Sequence, residues 1–265
     1  MSVTPVRPIF VVGSPRSGTT VIGNYIGSAA SVCNLGEYGA FYQSLEVMPQ
    51  TFARFPGPYT QRYLTELQEH AFDFADRMSR EAGKSWYCDG TPWNLLLVRD
   101  LARLKPDALF VLVLRHFSGV VQSLERSYAD GFGWAGATWE QRATVWSELY
   151  RRAGFMPRER TIVVGYDRLC ATPDAELGRL DECLRTSGLS DRMDRKVLGS
   201  SYATTASRHR PVLADERGKL RPIASYDPST WTEEIAAEVQ PVVKSTDDLM
   251  HLMYPDRYAT PAGYQ

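Results

Sequence analysis

The chain has 265 residues, 43% of them hydrophobic, and its 30 Lys and Arg against 31 Asp and Glu leave a formal net charge of −1. That apolar content supports a full hydrophobic core and excludes a disordered or fibrous chain. The balanced charge gives no ground for general nucleic-acid binding.

Ile9-Phe10-Val11-Val12 is apolar and largely β-branched, the pattern of a buried strand. Gly13–Gly18 forms a turn, and a helix runs from Thr19 to Ala30 with Val21, Ile22, Tyr25 and Ile26 on its apolar face. Ser31–Leu35 reads as a short strand and Gly36-Glu37-Tyr38-Gly39 as a turn. Residues 41–59, aromatic and bearing Pro and Gly, predict an irregular segment or lid. A helix over 60–81 places Tyr63, Leu64, Leu67, His70, Ala71 and Phe74 on one face, with His70 as a core residue. Lys84–Cys88 reads as a short strand, Asp89-Gly90-Thr91-Pro92 as a turn, and Trp93–Leu104 as a helix with Pro92 in its first turn.

Ala108–Leu114 is apolar throughout, as a parallel strand covered on both faces should be. Ser118 is a cap for the next helix, which runs to about Tyr128. Residues 128–139 form a Gly/aromatic loop before a helix over Thr138–Ala153. Thr161–Gly165 is a third core strand and Pro173–Ser187 a helix. Residues 199–228 are basic, proline-bearing and irregular, and two short helices, Trp231–Val239 and Val242–Met253, follow.

The alternation predicts a three-layer α/β fold with a central parallel sheet, one domain over residues 1–265, and ligands at the carboxyl ends of the strands. Gly13, Arg115 and Tyr166 each follow a core strand directly and should meet at one rim. Cys33, Cys88, Cys170 and Cys183 show no C-x-x-C spacing and read as thiols of a reducing compartment. Met1–Pro8 is too short and polar for a leader, and no apolar run approaches the roughly 18 residues of a membrane span. The expectation is a soluble, cytoplasmic protein without a metal site, since no pair of His has ligand spacing.

The chemistry begins at the first turn. A tight Gly-containing turn between strand and helix aims backbone N–H groups at one place, and the helix N-terminus adds partial positive charge there, a site for a phosphate or sulfate-like anion. Gly13 and Gly18 stand at the Walker A spacing, yet Thr19 occupies the position of its lysine, and the cation inside the loop is Arg16. A planar guanidinium suits an anion with planar oxygens and makes a metal less necessary.

Gly-Ser-Pro-Arg-Ser-Gly-Thr-Thr resembles the 5′-phosphosulfate loop of sulfotransferases that use 3′-phosphoadenosine 5′-phosphosulfate (PAPS), and most closely the P-R-S-G-T-T form of tyrosylprotein sulfotransferases and their bacterial relatives. The resemblance resumes in order over most of residues 8–255. It implies a P-loop-type sulfotransferase fold. It also implies donor contacts from Ser14, Pro15, Arg16, Ser17, Gly18, Thr19 and Thr20. Arg115 at a strand end with Ser123 eight residues later resembles the family's 3′-phosphate site. Tyr166 resembles the Tyr that lies near the nucleotide. The basic run 208–222 corresponds to a loop that closes over the 3′-phosphate, with Arg217 and Lys219 as its expected contacts, and Trp231 resembles the Trp that begins the next helix.

Leu35-Gly36-Glu37-Tyr38 resembles the Gly-Glu pair whose Glu serves as general base, and Arg16 would then stabilise charge on the moving group. One departure stands out. Relatives carry Lys just before Asp/Thr-Pro at the end of the next strand, where this chain has Gly90, leaving Arg16 alone or replaced in part by Lys84 or a lid residue. Asp89 is a further candidate acid or base on the acceptor side. His116 is read as positional.

The acceptor should be met by residues 38–59 and 128–139, where Tyr42, Phe52, Phe55, Phe132 and Trp134 suggest an apolar pocket for a hydrophobic or aromatic small-molecule hydroxyl. Two other readings stay open: a P-loop small-molecule kinase, which Thr19 argues against, and a non-catalytic nucleotide-binding protein, which Gly90 keeps in view. Oligomeric state is not legible.

Overall fold

The structure is a computed structural model that describes residues 5–198 and 233–258. Five parallel strands, β1 (Arg7–Gly13), β2 (Val32–Asn34), β3 (Trp86–Asp89), β4 (Leu109–Leu114) and β5 (Thr161–Gly165), form one sheet in the order β2-β3-β1-β4-β5. Helices flank it: α1 (Thr19–Gly27), α2 (Ala40–Tyr42), α3 (Met48–Arg54), α4 (Thr60–Glu81), α5 (Val98–Leu104), α6 (Phe117–Ala129), α7 (Trp139–Arg152), α8 (Tyr166–Ala171), α9 (Pro173–Thr186) and α10 (Glu233–Met253).

The apolar runs dictate this layering. Side chains alternate across a strand, so β1 sends Phe10 and Val12 into one core and Ile9 and Val11 into the other. β4 does the same with Phe110, Leu112 and Leu114 against Leu109, Val111 and Val113. Ile22, Tyr25 and Ile26 of α1 cover one face, while Trp146, Leu149 and Tyr150 of α7 and Val239, Val243 and Met250 of α10 cover the other.

The rim at the carboxyl ends is stepped. Gly13 lies opposite Val113 and Leu114 opposite Gly165, so β1, β4 and β5 end near one level. The last residue of β3, Asp89, lies opposite Phe10. β3 thus stops about 10 Å below the end of β1, at ~3.3 Å per residue.

Five local readings of the sequence are corrected, the last at Pro241. Residues 40–54 are not irregular: α2, a π-helical turn over Gln43–Val47, and α3 follow without a break. Trp93–Leu104 is divided into a 3₁₀ stretch, Pro92–Leu97, and α5. The cap of α6 is His116, whose ring accepts from the Ser118 N–H, rather than Ser118 itself. His70 is exposed, because α4 buries Leu64, Ala71, Phe72, Ala75 and Ser79 instead.

The two helices expected on either side of Pro241 are one, α10, with the proline inside it. An interior proline costs about 3 kcal/mol. Burial of Val239, Val243 and Met250 offsets that, at about 1.5–3 kcal/mol per large apolar side chain. Cys88 and Cys170 are buried and Cys33 and Cys183 half-buried, all as free thiols. No described helix is long and apolar enough to cross a membrane. The expected lid 199–228, with Arg217 and Lys219, together with Trp231 and His209, lies outside the described residues.

Candidate active site

The loop after β1 turns on one unusual backbone conformation. Arg16 has φ 69°, in the left-handed region that a non-glycine residue rarely adopts. This turn buries Ser14, Pro15 and Ser17, and the Ser17 N–H donates back to the Ser14 carbonyl at 3.1 Å. Gly18 takes φ 105° as the N-cap of α1, with no side-chain cap on the first turn. Its bare Cα is required: a Cβ there would lie 2.3 Å from the ring of Tyr166. Tyr166, at the start of α8 and buried, thereby roofs the loop.

Arg115 leaves the end of β4 and folds back over the first turn of α6. A Cβ at Gly119 would stand 2.6 Å from its Nε, so the glycine makes room for the guanidinium. The guanidinium lies 4.4 Å from the centre of the Tyr166 ring and donates through Nη1 to the Arg16 carbonyl at 3.1 Å. Arg16 in turn donates through Nε to the Ser123 hydroxyl at 2.6 Å. Burial pushes the Arg16 guanidinium below its ordinary value, with Glu37 opposing and Arg115 adding to that shift. Arg16, Ser123, Arg115 and Tyr166, spread over 150 positions of sequence, thus form one cluster.

The backbone of Arg115 is held from below by α7. Its N–H donates to the Tyr150 hydroxyl at 2.9 Å, that hydroxyl donates to the Val113 carbonyl at 3.0 Å, and the Trp146 indole N–H donates to the Arg115 carbonyl at 3.0 Å. The next residue, His116, is buried between Ser118, 2.7 Å from its Nδ1, and Asp247 of α10, 2.9 Å from its Nε2. Asp167 accepts from the His116 N–H at 3.3 Å, and burial raises its carboxyl despite the neighbouring Arg115.

Glu37 sits lower, on the step made by β2 and β3. It is exposed, and its carboxylate accepts from the Thr20 hydroxyl at 2.8 Å, at the first turn of α1. Together with Thr20, Gly23, Asn24, Asn34, Gly36 and Gly90 it lines a small cleft between α1 and the ends of β2 and β3.

The sequence matches the profile of the sulfotransferase family over residues 8–190. This chain belongs to the sulfotransferase family. The fold is also that of a sulfotransferase domain from the curacin biosynthetic pathway, at TM-score 0.54 and 14% identity over 92% of this chain and 98% of that one. A sulfotransferase domain from the Synechococcus PCC 7002 olefin synthase gives TM-score 0.54 and 14% identity over 98% of both chains. Among curated protein sequences none matches significantly. At these identities the likeness to solved structures is one of fold.

Gly90, the position at which the sequence resemblance implies a lysine, is cramped but not closed. A Cβ on Gly90 would meet the Gly36 carbonyl at 3.4 Å and the Thr19 carbonyl at 3.7 Å, ordinary contacts. Lys84 does not stand in for it. It precedes β3, at the opposite end of the strand, and its ammonium donates to the Ala30 carbonyl. Asp89 is fully buried and accepts hydrogen bonds from Tyr38, Thr91 and Asn94, so it is not open to an acceptor. Burial raises its carboxyl and those donors oppose the shift.

Of the predicted acceptor-side residues in this sulfotransferase, three are brought together. Tyr42 stacks on Trp93 with ring centres 5.9 Å apart, Trp93 meets Trp134 edge-on at 5.7 Å, and Trp134 meets Phe132 at 6.0 Å. Trp134 and Phe132 remain substantially exposed. Phe55, just past α3, is 75% exposed and stands apart from this wall, while Phe52 packs edge-on against Tyr63. The bridging residue, Trp93, was missed. Its place directly after Asp-Gly-Thr-Pro was the available signal. Among the described residues no cluster of His, Cys, Asp and Glu has the geometry of a metal site.

Proposed function

We propose that this sulfotransferase uses PAPS as donor and acts on a hydroxyl group of a hydrophobic or aromatic small molecule. The observation that carries the reading is the cluster of Arg16, Ser123 and Arg115, in which the loop cation and the strand-end cation share one small region. The donor set fits a bisphosphate: Arg115 Nε is buried with no protein partner, and the Ser123 hydroxyl faces the Arg16 guanidinium, a cation that a phosphate could share. Residues 14–20 cradle the 5′-phosphosulfate, and Arg115 and Ser123 hold the 3′-phosphate. Tyr166 flanks the nucleotide, and Arg217 and Lys219 belong to a lid over it.

PAPS supplies an activated sulfuryl group whose S–O bond to phosphate breaks as the acceptor oxygen bonds to sulfur. Glu37 takes the proton from the acceptor hydroxyl. Arg16 and the loop N–H groups stabilise the charge that develops on the sulfuryl and leaving oxygens. A phenol needs less help from Glu37 than an alcohol, since its pKa is about 10. The wall of Tyr42, Trp93, Trp134 and Phe132 supports a flat or apolar acceptor. All of this falls within one sulfotransferase-like unit.

The test is thermal unfolding with 3′-phosphoadenosine 5′-phosphate, AMP and ATP·Mg²⁺ in parallel. A ligand at 100 times its dissociation constant stabilises the fold by about 2.7 kcal/mol. Stabilisation by the bisphosphate but not by ATP·Mg²⁺ is expected, and the reverse overturns the Arg115/Ser123 assignment in favour of a kinase. Gly90 favours a second reading, a binder without turnover. Glu37→Ala decides between them: the enzyme loses turnover and keeps bisphosphate affinity.

A further inference from the structure

We propose that the buried carboxylate of Asp89 is a positioning residue that clamps the turn carrying Glu37 to the segment carrying Trp93. The functional weight of this clamp rests on the reading of Glu37 as base and of the aromatic wall as acceptor site. Its geometry does not.

Asp89 ends β3 and is fully buried. Its Oδ1 accepts from the Tyr38 N–H at 3.2 Å, the Thr91 N–H at 2.9 Å and the Thr91 hydroxyl at 2.6 Å. Its Oδ2 accepts from the Asn94 side-chain amide at 2.8 Å. The Thr91 hydroxyl, oriented by that bond, accepts from the Gly39 N–H at 3.0 Å. The Gly90 N–H donates to the Gly36 carbonyl at 2.7 Å. Residues 89–91 therefore hold the backbone immediately before Glu37 and the two residues immediately after it.

That turn needs a clamp. Gly36 and Gly39 have φ of 65° and 69°, so the turn is bounded by two residues with little intrinsic stiffness. On the other side, Asn94 adjoins Trp93, whose ring joins Tyr42 to Trp134. One oxygen of Asp89 thus fixes the neighbour of Glu37, and the other fixes the neighbour of Trp93.

The residue type argues the same way. Burying a carboxylate costs several kcal/mol, and filling the space would require no charge. All its partners are donors, the set an ionised carboxylate takes, and such charge-assisted bonds are about twice as strong as neutral ones. The charge provides rigidity between two segments that otherwise approach through glycines and aromatic rings.

The experiment compares wild type with Asp89→Asn, the exchanged pair Asp89→Asn/Asn94→Asp, and Thr91→Val. Amide hydrogen exchange at residues 38 and 39, bisphosphate affinity, and kcat and KM for 2-naphthol are measured on each. Asp89→Asn keeps one oxygen for the Tyr38 and Thr91 donors but removes the charge, and the Asn94 amide must turn over so that its unpartnered oxygen accepts from the new amide. The exchanged pair returns a negative charge to the same cluster.

We expect exchange at Tyr38 and, through Thr91, at Gly39 to quicken by about tenfold or more in Asp89→Asn, as for a weakening of about 1.4 kcal/mol when a charged acceptor becomes a neutral one. kcat should fall by about 10² for a misplaced base, with bisphosphate affinity kept. The exchanged pair should recover both, and a residue that served only stability would move neither readout apart from Tm. Unchanged exchange at Tyr38 and Gly39 in Asp89→Asn overturns the clamp. If that variant does not fold, Thr91→Val decides by the same measurement at Gly39. Turnover of 2-naphthol by Glu37→Ala at the wild-type rate defeats the base assignment alone, and the exchange rates still judge the clamp.

Discussion

The guanidinium of Arg115 is hydrogen-bonded to the backbone carbonyl of Arg16, 3.1 Å away, so the cation that ends β4 is tied to the turn that ends β1. Neither can shift without the other. Arg16 is held in a left-handed conformation that costs about 1–2 kcal/mol, and the Arg115 bond lies on the carbonyl of that same residue.

Gly119→Ala tests the room made for Arg115. The new methyl would lie 2.6 Å from Nε and must push the guanidinium aside. Loss of one charge-assisted hydrogen bond, about 1.5–3 kcal/mol, corresponds to about 10–100-fold in affinity. Calorimetry should show that loss for 3′-phosphoadenosine 5′-phosphate and a much smaller one for AMP. Equal losses for both ligands would place Arg115 away from the 3′-phosphate.

Tyr150→Phe removes the hydroxyl that both accepts from the Arg115 N–H and donates to the Val113 carbonyl. Two buried backbone groups are then orphaned, and such groups cost about 1–3 kcal/mol. Urea unfolding should register a drop of that order. Bisphosphate affinity should fall as well, because the strand end that aims Arg115 is loosened. A stability loss without any affinity loss would show that Arg115 is aimed by other contacts.

Asp167→Asn separates charge from shape. Burial raises the Asp167 carboxyl above the unfolded value of about 3.9, so the folded chain binds the proton more tightly than the unfolded one. Its contribution to stability therefore falls as pH rises through the window from about 4 up to the folded value. Asn lacks that fall and still accepts from the His116 N–H. The Tm of the variant relative to wild type should rise between pH 4 and 7. Anion affinity should rise too, since Asp167 competes for Arg115. A Tm difference that is flat with pH would contradict the raised carboxyl.

Trp93→Ala removes the ring joining Tyr42 to Trp134. KM for an aromatic acceptor should rise by about tenfold or more, as for an aromatic contact of about 0.5–1.5 kcal/mol plus lost burial. The dissociation constant of the bisphosphate should hold. A donor constant that shifts as much as KM would show that the wall does not belong to the acceptor alone.

Much of this was legible in the sequence because strand ends constrain chemistry. β4 is apolar throughout, β1 and β5 carry apolar runs after Arg7 and Thr161, and the three end on Leu114, Gly13 and Gly165, so the residues following them had to share a rim. The helical stretch 40–54 was hidden by Gly39, Pro49 and several rings, although Phe41, Leu45, Met48 and Phe52 recur at i, i+4, i+7 and i+11. The support of Arg115 by Tyr150 and Trp146 joins positions more than 30 apart, which no local pattern reveals. Asp89 read as a candidate acid or base, because a carboxylate beside a strand end looks the same in sequence whether it faces solvent or four buried donors.

The step in the rim separates two tasks along the height of one sheet. The groups proposed to hold the donor ride on β1, β4 and β5, and the turn with Glu37 and the ring of Trp93 ride on β2 and β3, some three residues lower. The two levels meet where Glu37 accepts from the Thr20 hydroxyl. On the proposed reading that turn is shared, and the rings of Trp93 and Trp134 are the part of the lower terrace that can be recut for a new acceptor while the strand ends above keep their grip on the same donor.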